Sequence, residues 1–156
     1  ALIAYIRVGI DPEGAAVQIG DVDSGKSLFE GAGECGACHR VNGSGPRTAP
    51  DLSDIGLART PAALRRTLVE PSKAIWPIHR PVIALTKKGE AISGRRLNED
   101  TYTVQLIDSQ ERLISLNKED LVQFEVREEL THQPTALSDE EVADLVAYML
   151  SLRGEL

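Results

Sequence analysis

Apolar positions change their spacing twice along the chain. Val142, Leu145, Val146, Met149 and Leu150 recur at i, i+3, i+4, i+7 and i+8, the stripe of a helix with one buried face. Ser138 followed by Glu141 makes a capping box at its start, and Gly154 is placed to stop it. A second helix is expected from about Gly25 to Gly31, capped by Ser24, with Leu28 and Phe29 on its buried side. A third has Thr60 as cap and Pro61 at its first position, turns Ala63, Leu64 and Leu68 inward, and ends at Pro71. Ala1 to Val8 resembles the end of a helix closed by Gly9 and Pro12, and Gly9 to Asp23 has the composition of a linker.

After Trp76-Pro77 the period falls to two. Arg80 to Thr86 and Ala91 to Leu97 flank a turn at Lys87-Lys88-Gly89-Glu90, and Asn98-Glu99-Asp100 reads as the next turn. Tyr102, Val104 and Leu106 alternate with polar neighbours, Asp108-Ser109-Gln110 turns the chain into Arg112 to Leu116, and Val122, Phe124 and Val126 alternate again. About five short antiparallel strands joined by tight turns are expected here. The paired acids Glu99-Asp100 and Glu119-Asp120 read as solvated turns.

The chemistry is concentrated in Cys35-Gly36-Ala37-Cys38-His39, which contains both cysteines of the chain. Two thiols within one helical turn can each form a thioether to a vinyl group of one porphyrin, and the next residue places an imidazole beneath the iron. A redox dithiol, a structural disulfide and half of a zinc site are the alternatives. A zinc site wants about four protein ligands, and no second cysteine pair exists. A redox dithiol wants a βαβ context that the flanks lack. The spacing is that of c-type haem attachment.

Composition then narrows the class. At 156 residues the chain fits one domain, or one domain with a small appendage, and its aromatic content of 4% leaves a core that a haem ring would help to fill. A net charge of −7 argues against nucleic acid, whose binders carry a basic face. No run of about 18 apolar residues offers a membrane span. The start at Ala1 rather than Met is expected of a processed chain or an excised fragment.

Gly25 and Phe29, the Cys35–His39 motif, Pro50-Asp51-Leu52 and the closing helix together resemble a class I cytochrome c, of the bacterial kind with a β-rich insertion before the last helix. The resemblance covers about residues 20–153. It implies a mainly α cytochrome c fold around one covalent haem c, with an inserted small antiparallel sheet at about 77–127, α+β overall. Residues 1–19 are then an N-terminal helix and linker, or the end of a preceding domain; Leu2 to Ile6 loosely repeats Leu145 to Met149. The resemblance further implies thioethers at Cys35 and Cys38, His39 as proximal iron ligand, and a Pro50 carbonyl that orients the His39 ring. Leu52 joins Leu64 and Leu68 in the haem pocket, and Gly25 and Phe29 pack on the last helix near Tyr148.

The sequence departs from that family in the loop before the last helix, where a methionine followed by proline supplies the distal ligand. Here the loop reads Thr131-His132-Gln133-Pro134, with Gln133 at the methionine position. His132 is the stronger donor and the first candidate for the sixth ligand; Gln133 is the weaker one, and His79 reaches only if the sheet folds over the haem. Met149 has the helical phase of a core residue. Arg65 and Arg66 are candidates for propionates, with a solvated helix face as the simpler reading. Trp76, Arg80, Arg95 and Arg96 are candidates to touch the haem edge or a partner.

The function expected is electron transfer through the haem rather than enzymatic turnover, as a carrier or as a module of a larger redox chain. Its partners would be basic-faced redox proteins, or a tandem haem domain or dehydrogenase in a parent chain, with no nucleic acid. The alternative is a haem-based gas sensor or peroxide enzyme with an open distal site. Covalent attachment implies an exported protein, periplasmic or held at the membrane through a parent chain.

Overall fold

The computed structural model describes residues 17–74, 77–127 and 137–154. Among these, five α-helices and a five-stranded antiparallel sheet make an α+β fold. The helices are α1 (Val22–Glu30), α2 (Ile55–Ala58), α3 (Pro61–Val69), α4 (Pro71–Ala74) and α5 (Asp139–Ser151), with a 3-10 turn at Cys35–Ala37. The stretch Ala1 to Val8 lies outside the described residues.

Caps account for most helix boundaries. α1 starts earlier than expected because Asp21, not Ser24, is its cap: the Asp21 carboxylate accepts the Ser24 N–H at 2.8 Å. α3 begins as expected at Thr60, whose hydroxyl accepts the Ala63 N–H at 3.3 Å. It ends at Val69, before Pro71, and that proline opens α4 instead of only terminating α3. α5 carries the full capping box, Glu141 N–H to the Ser138 hydroxyl at 3.2 Å and Ser138 N–H to the Glu141 carboxylate at 2.7 Å. α2 was not expected, since four residues are too few to show a period.

The helical core sits where α1 crosses α5. Leu145, Val146, Tyr148 and Met149 of α5 pack with Phe29 of α1 and Leu64 of α3. The Phe29 and Tyr148 rings lie 5.4 Å apart at 59°, a tilted contact of the kind aromatic pairs favour. The crossing is close because Gly25 has no side chain: a Cβ there would overlap the Asp144 carbonyl and stand 2.9 Å from Tyr148 Cβ.

The sheet comprises β1 (Pro81–Thr86), β2 (Ala91–Glu99), β3 (Thr103–Ile107), β4 (Leu113–Asn117) and β5 (Leu121–Val126), in the order β4-β3-β2-β1-β5. Its two edge strands are joined only by the 3-10 turn Lys118–Asp120. A flat sheet cannot close so short a link, so the strands curl toward one another around Val82, Ala84, Val104 and Leu106, all fully buried.

Two bulges correct the expected pairing. One lies between Arg96 and Asn98, which keeps Asn98 and Glu99 in β2 rather than in a turn. Glu99 is half-buried there and ion-paired with Arg96 and with Lys118 Nζ at 2.7 Å, so it is not a solvated turn acid. The other pairs Leu85 with Gln123 and Thr86 with Leu121, leaving Val122 as the extra residue. Val122 is therefore 61% exposed, and Tyr102, just outside β3, is 78% exposed, although both continue an alternating pattern.

Asp108 closes the β3–β4 turn. Its carboxylate accepts the Arg112 and Gln110 N–H groups, each at 2.9 Å, and Arg112 Nε at 2.7 Å. The Arg112 backbone bond leads the effects that hold this carboxyl below the usual aspartate range.

Two outcomes are expected. Gly25→Ala should cost about 2 kcal/mol by overpacking, read as a lower thermal midpoint by circular dichroism. A midpoint at or above wild type, as helix propensity alone would give, would contradict the close crossing. The depressed Asp108 pKa stabilises the fold above the unfolded-state value of about 3.9, and that stability is lost as pH falls through the lower folded value. Urea midpoints should thus decline below about pH 4, less steeply in Asp108→Asn; equal acid slopes would exclude this role.

Candidate cofactor attachment site

After α1, the Gly33 N–H returns to the Leu28 carbonyl at 2.8 Å and Glu34 takes a left-handed conformation (φ 52°). This tight exit feeds the 3-10 turn in which the Cys38 and His39 N–H groups both point at the Cys35 carbonyl, at 3.2 and 3.0 Å. Two sulfurs and an imidazole thus leave a single turn. Cys35 packs half-buried against the helical core and donates its thiol to the Gly33 carbonyl at 3.3 Å. Burial pushes this thiol's pKa up. Cys38 is exposed, and the two cysteines are not bonded to each other.

The loop that follows is folded back on the turn. The Ala49 N–H and the Thr48 hydroxyl reach the Cys38 carbonyl at 3.1 and 3.4 Å, and the Leu52 N–H reaches the Arg40 carbonyl at 2.9 Å. Those bonds bring the Pro50 carbonyl to 2.8 Å from His39 Nδ1. A carbonyl oxygen can only accept, so Nδ1 carries the proton and Nε2 is the ring atom with a lone pair for a metal. Leu28, Val41, Leu52, Ile55 and Leu68, like Cys35, pack half-buried against the helical core, in which Leu64 is buried.

This donor set suits haem c: two thiols three positions apart for the vinyl groups, an oriented imidazole for the iron, and an apolar flank for the ring. Among the described residues no group of three or more His, Cys, Asp or Glu side chains could hold a metal ion by itself.

Comparison with known families agrees. The family described as cytochrome c matches residues 22–100, just over half of the chain. The chain belongs to the cytochrome c family. No curated protein matches it. Membership implies a covalently bound haem c and haem-based electron transfer. The match runs from α1 through β2, and it stops before α5, although α5 is the helix on which α1 packs in this cytochrome c.

Of the residues singled out in the sequence, Cys35, Cys38, His39, Pro50 and Leu52 come together. His132, Gln133 and Trp76 lie outside the described residues. Met149 is buried in the helical core. Arg65 and Arg66 line a solvated face, pairing with Asp139 at 3.5 Å and Glu70 at 4.0 Å. Arg80 donates to the Ser72 carbonyl at 3.3 Å, and Arg96 is paired with Glu99. The sequence did not disclose that Arg95 binds the loop itself, through Nη2 to the Arg47 carbonyl at 2.9 Å and Nε to the Thr48 carbonyl at 3.3 Å. Nor did it disclose that Arg47 N–H and Nε meet the Glu111 carboxylate at 3.1 and 3.4 Å. Contacts between residues so far apart in sequence leave no local pattern.

Two glycines in the loop give an internal control. Gly43 and Gly45 both have positive φ (79° and 94°), but a Cβ at Gly43 meets open space while one at Gly45 would stand 2.6 Å from the His39 carbonyl. Gly43→Ala should cost about 1 kcal/mol of strain, and Gly45→Ala roughly 1–3 kcal/mol more from the clash. Equal thermal midpoints for the two variants would contradict this packing of the loop on His39.

Proposed function

We propose that residues 20–153 form one electron-transfer unit carrying a single haem c, into which the sheet, at about 77–127, is inserted. The observation that carries the reading is the His39 Nδ1–Pro50 carbonyl bond of 2.8 Å beside the two thiols. When bound, haem supplies a one-electron iron couple. Cys35 and Cys38 hold it through thioethers, so it is not lost by dissociation. His39, its proton fixed on Nδ1, presents Nε2 as proximal ligand, and the hydrogen bond to Pro50 raises the basicity of the ring. Leu52, Leu64 and Leu68 would lend the bound haem an apolar flank that keeps water away, which would favour the less charged ferrous state. His132 is the proposed distal ligand, with Gln133 as the weaker candidate.

The unit works as a carrier or as a module of a larger redox chain, with residues 1–19 as a linker or the end of a preceding domain. The net charge of −7 suits basic-faced redox partners and makes encounter rates fall with salt. Thioether attachment supports a periplasmic location. Among the described residues, no helix is long and apolar enough to cross a membrane.

The test is the pyridine haemochrome spectrum together with optical and EPR spectra of wild type and His132→Ala. Expected are a two-thioether haem, low-spin iron in both oxidation states, and a high-spin variant. A high-spin wild type whose ferrous form binds carbon monoxide readily would replace electron transfer by gas sensing or peroxide chemistry.

A further inference from the structure

The stretch from Gly45 to Asp54 belongs to no helix or strand, so the place of its Pro50 carbonyl depends on what holds the loop. From the helical side, the Ala49 N–H is tied to the Cys38 carbonyl and the Leu52 N–H to the Arg40 carbonyl. From the sheet comes Arg95, whose Nε and Nη2 donate to the Thr48 and Arg47 carbonyls at 3.3 and 2.9 Å. Its strand is fixed on both sides, because Arg95 pairs with Pro81 of β1 and with Ile107 of β3. One position earlier, a Cβ on Gly94 would stand 2.9 Å from the Ile107 carbonyl carbon, so β2 presses on β3 there with no side chain between. The Arg95 side chain is half-buried. A planar guanidinium on a rigid strand therefore clasps two successive carbonyls of an irregular loop, which fixes orientation as well as distance. The Arg47 N–H is held from the same sheet by the Glu111 carboxylate at 3.1 Å.

Thr48 and Pro50 are two residues apart, a span of at most about 7 Å, which leaves little slack between the clasp and the carbonyl that meets His39. Resting on the haem reading above, we infer that Arg95 is a positioning residue of the haem site: from the sheet, it sets the hydrogen bond between His39 Nδ1 and the Pro50 carbonyl, and through it the reduction potential. Without the clasp the Arg47 and Thr48 carbonyls turn to water, Pro50 moves against His39, and the bond weakens. A weaker bond makes the ring less basic, which favours ferrous iron and raises the potential. Arg95→Lys isolates this effect, since it keeps the positive charge and loses the planar fork.

The experiment uses the haem-loaded protein. Wild type is first checked for thioether haem by pyridine haemochrome; its absence would overturn the functional reading, and this assignment with it. Solvent exchange of the His39 Nδ1–H is then followed by NMR in the ferrous state, with redox titrations, for wild type, Arg95→Lys, Arg95→Gln and Arg65→Gln. Nuclear Overhauser contacts from Arg95 Hε to the protons of Thr48 and Ala49 are sought in wild type. Expected are those contacts, His39 exchange about tenfold faster in both Arg95 variants, and a higher midpoint potential in Arg95→Lys. Arg65→Gln, on the solvated helix face, should match wild type in both readouts. Haem present with unchanged His39 exchange in the Arg95 variants would overturn the assignment and leave the functional reading standing. So would an Arg95→Lys protein that matches wild type while Arg95→Gln alone has a lower potential, because charge and not position would then be at work. If neither Arg95 variant folds, the wild-type contacts decide, and their absence overturns the assignment.

Discussion

The approach of the α1 and α5 backbones is the constraint on which the rest of the molecule depends. α5 lies more than a hundred positions after α1, yet the two touch at Gly25 with no side chain between them. The contact is reinforced by hydrogen bonds at its rim, Gly20 N–H to the Ala143 carbonyl at 3.1 Å and Asp21 N–H to the Asp144 carboxylate at 2.7 Å. α2 leans on the other end of α5, its Gly56 N–H bonded to the Leu152 carbonyl at 2.8 Å. The turn bearing Cys35, Cys38 and His39 leaves the end of α1, and the loop that returns Pro50 to His39 runs into α2. Both ends of the attachment site are therefore referred to one helix. A shift of that crossing would move thiols and imidazole against the carbonyl that orients the ring.

The loop between Cys38 and Leu52 is held from two sides. Toward the helices, backbone bonds tie it to the Cys38 and Arg40 carbonyls. Toward the sheet, Arg95 takes the Arg47 and Thr48 carbonyls while Glu111 takes the Arg47 N–H. The exposed Arg47–Glu111 charge pair contributes little by itself, since such pairs are worth about 0–1 kcal/mol. Arg95 is different, because its guanidinium is half-buried and satisfies backbone carbonyls that would otherwise need water. The curl of the sheet makes this grip possible: the bulge after Arg96 bends β2, and the three-residue link between β4 and β5 keeps the strands wrapped around their own small core.

How much of this could be read from the chain depended on the range of the interactions. The grouping of Cys35, Cys38 and His39 was legible because the three share one turn, and a turn is written in consecutive residues. Thr60 with Pro61, and Ser138 with Glu141, were legible because caps act within four positions. The five strands showed in their alternation, but Val122 and Tyr102 misled: a bulge and a turn decide which face a residue takes, and neither changes the local pattern. Ser24 misled in the same way, since Asp21 offered the better-placed carboxylate.

By itself, then, the sequence determined that two thiols and an imidazole share one turn, the helical stripe of α5 and the α+β composition, since each rests on residues within a few positions of one another. Only the tertiary structure decided that Gly25 is where two backbones meet, and that Arg95 clasps the loop through the Arg47 and Thr48 carbonyls. Those arrangements join residues tens of positions apart. They exist because burying the faces of α5 and of the curled sheet fixes distances that no local pattern encodes.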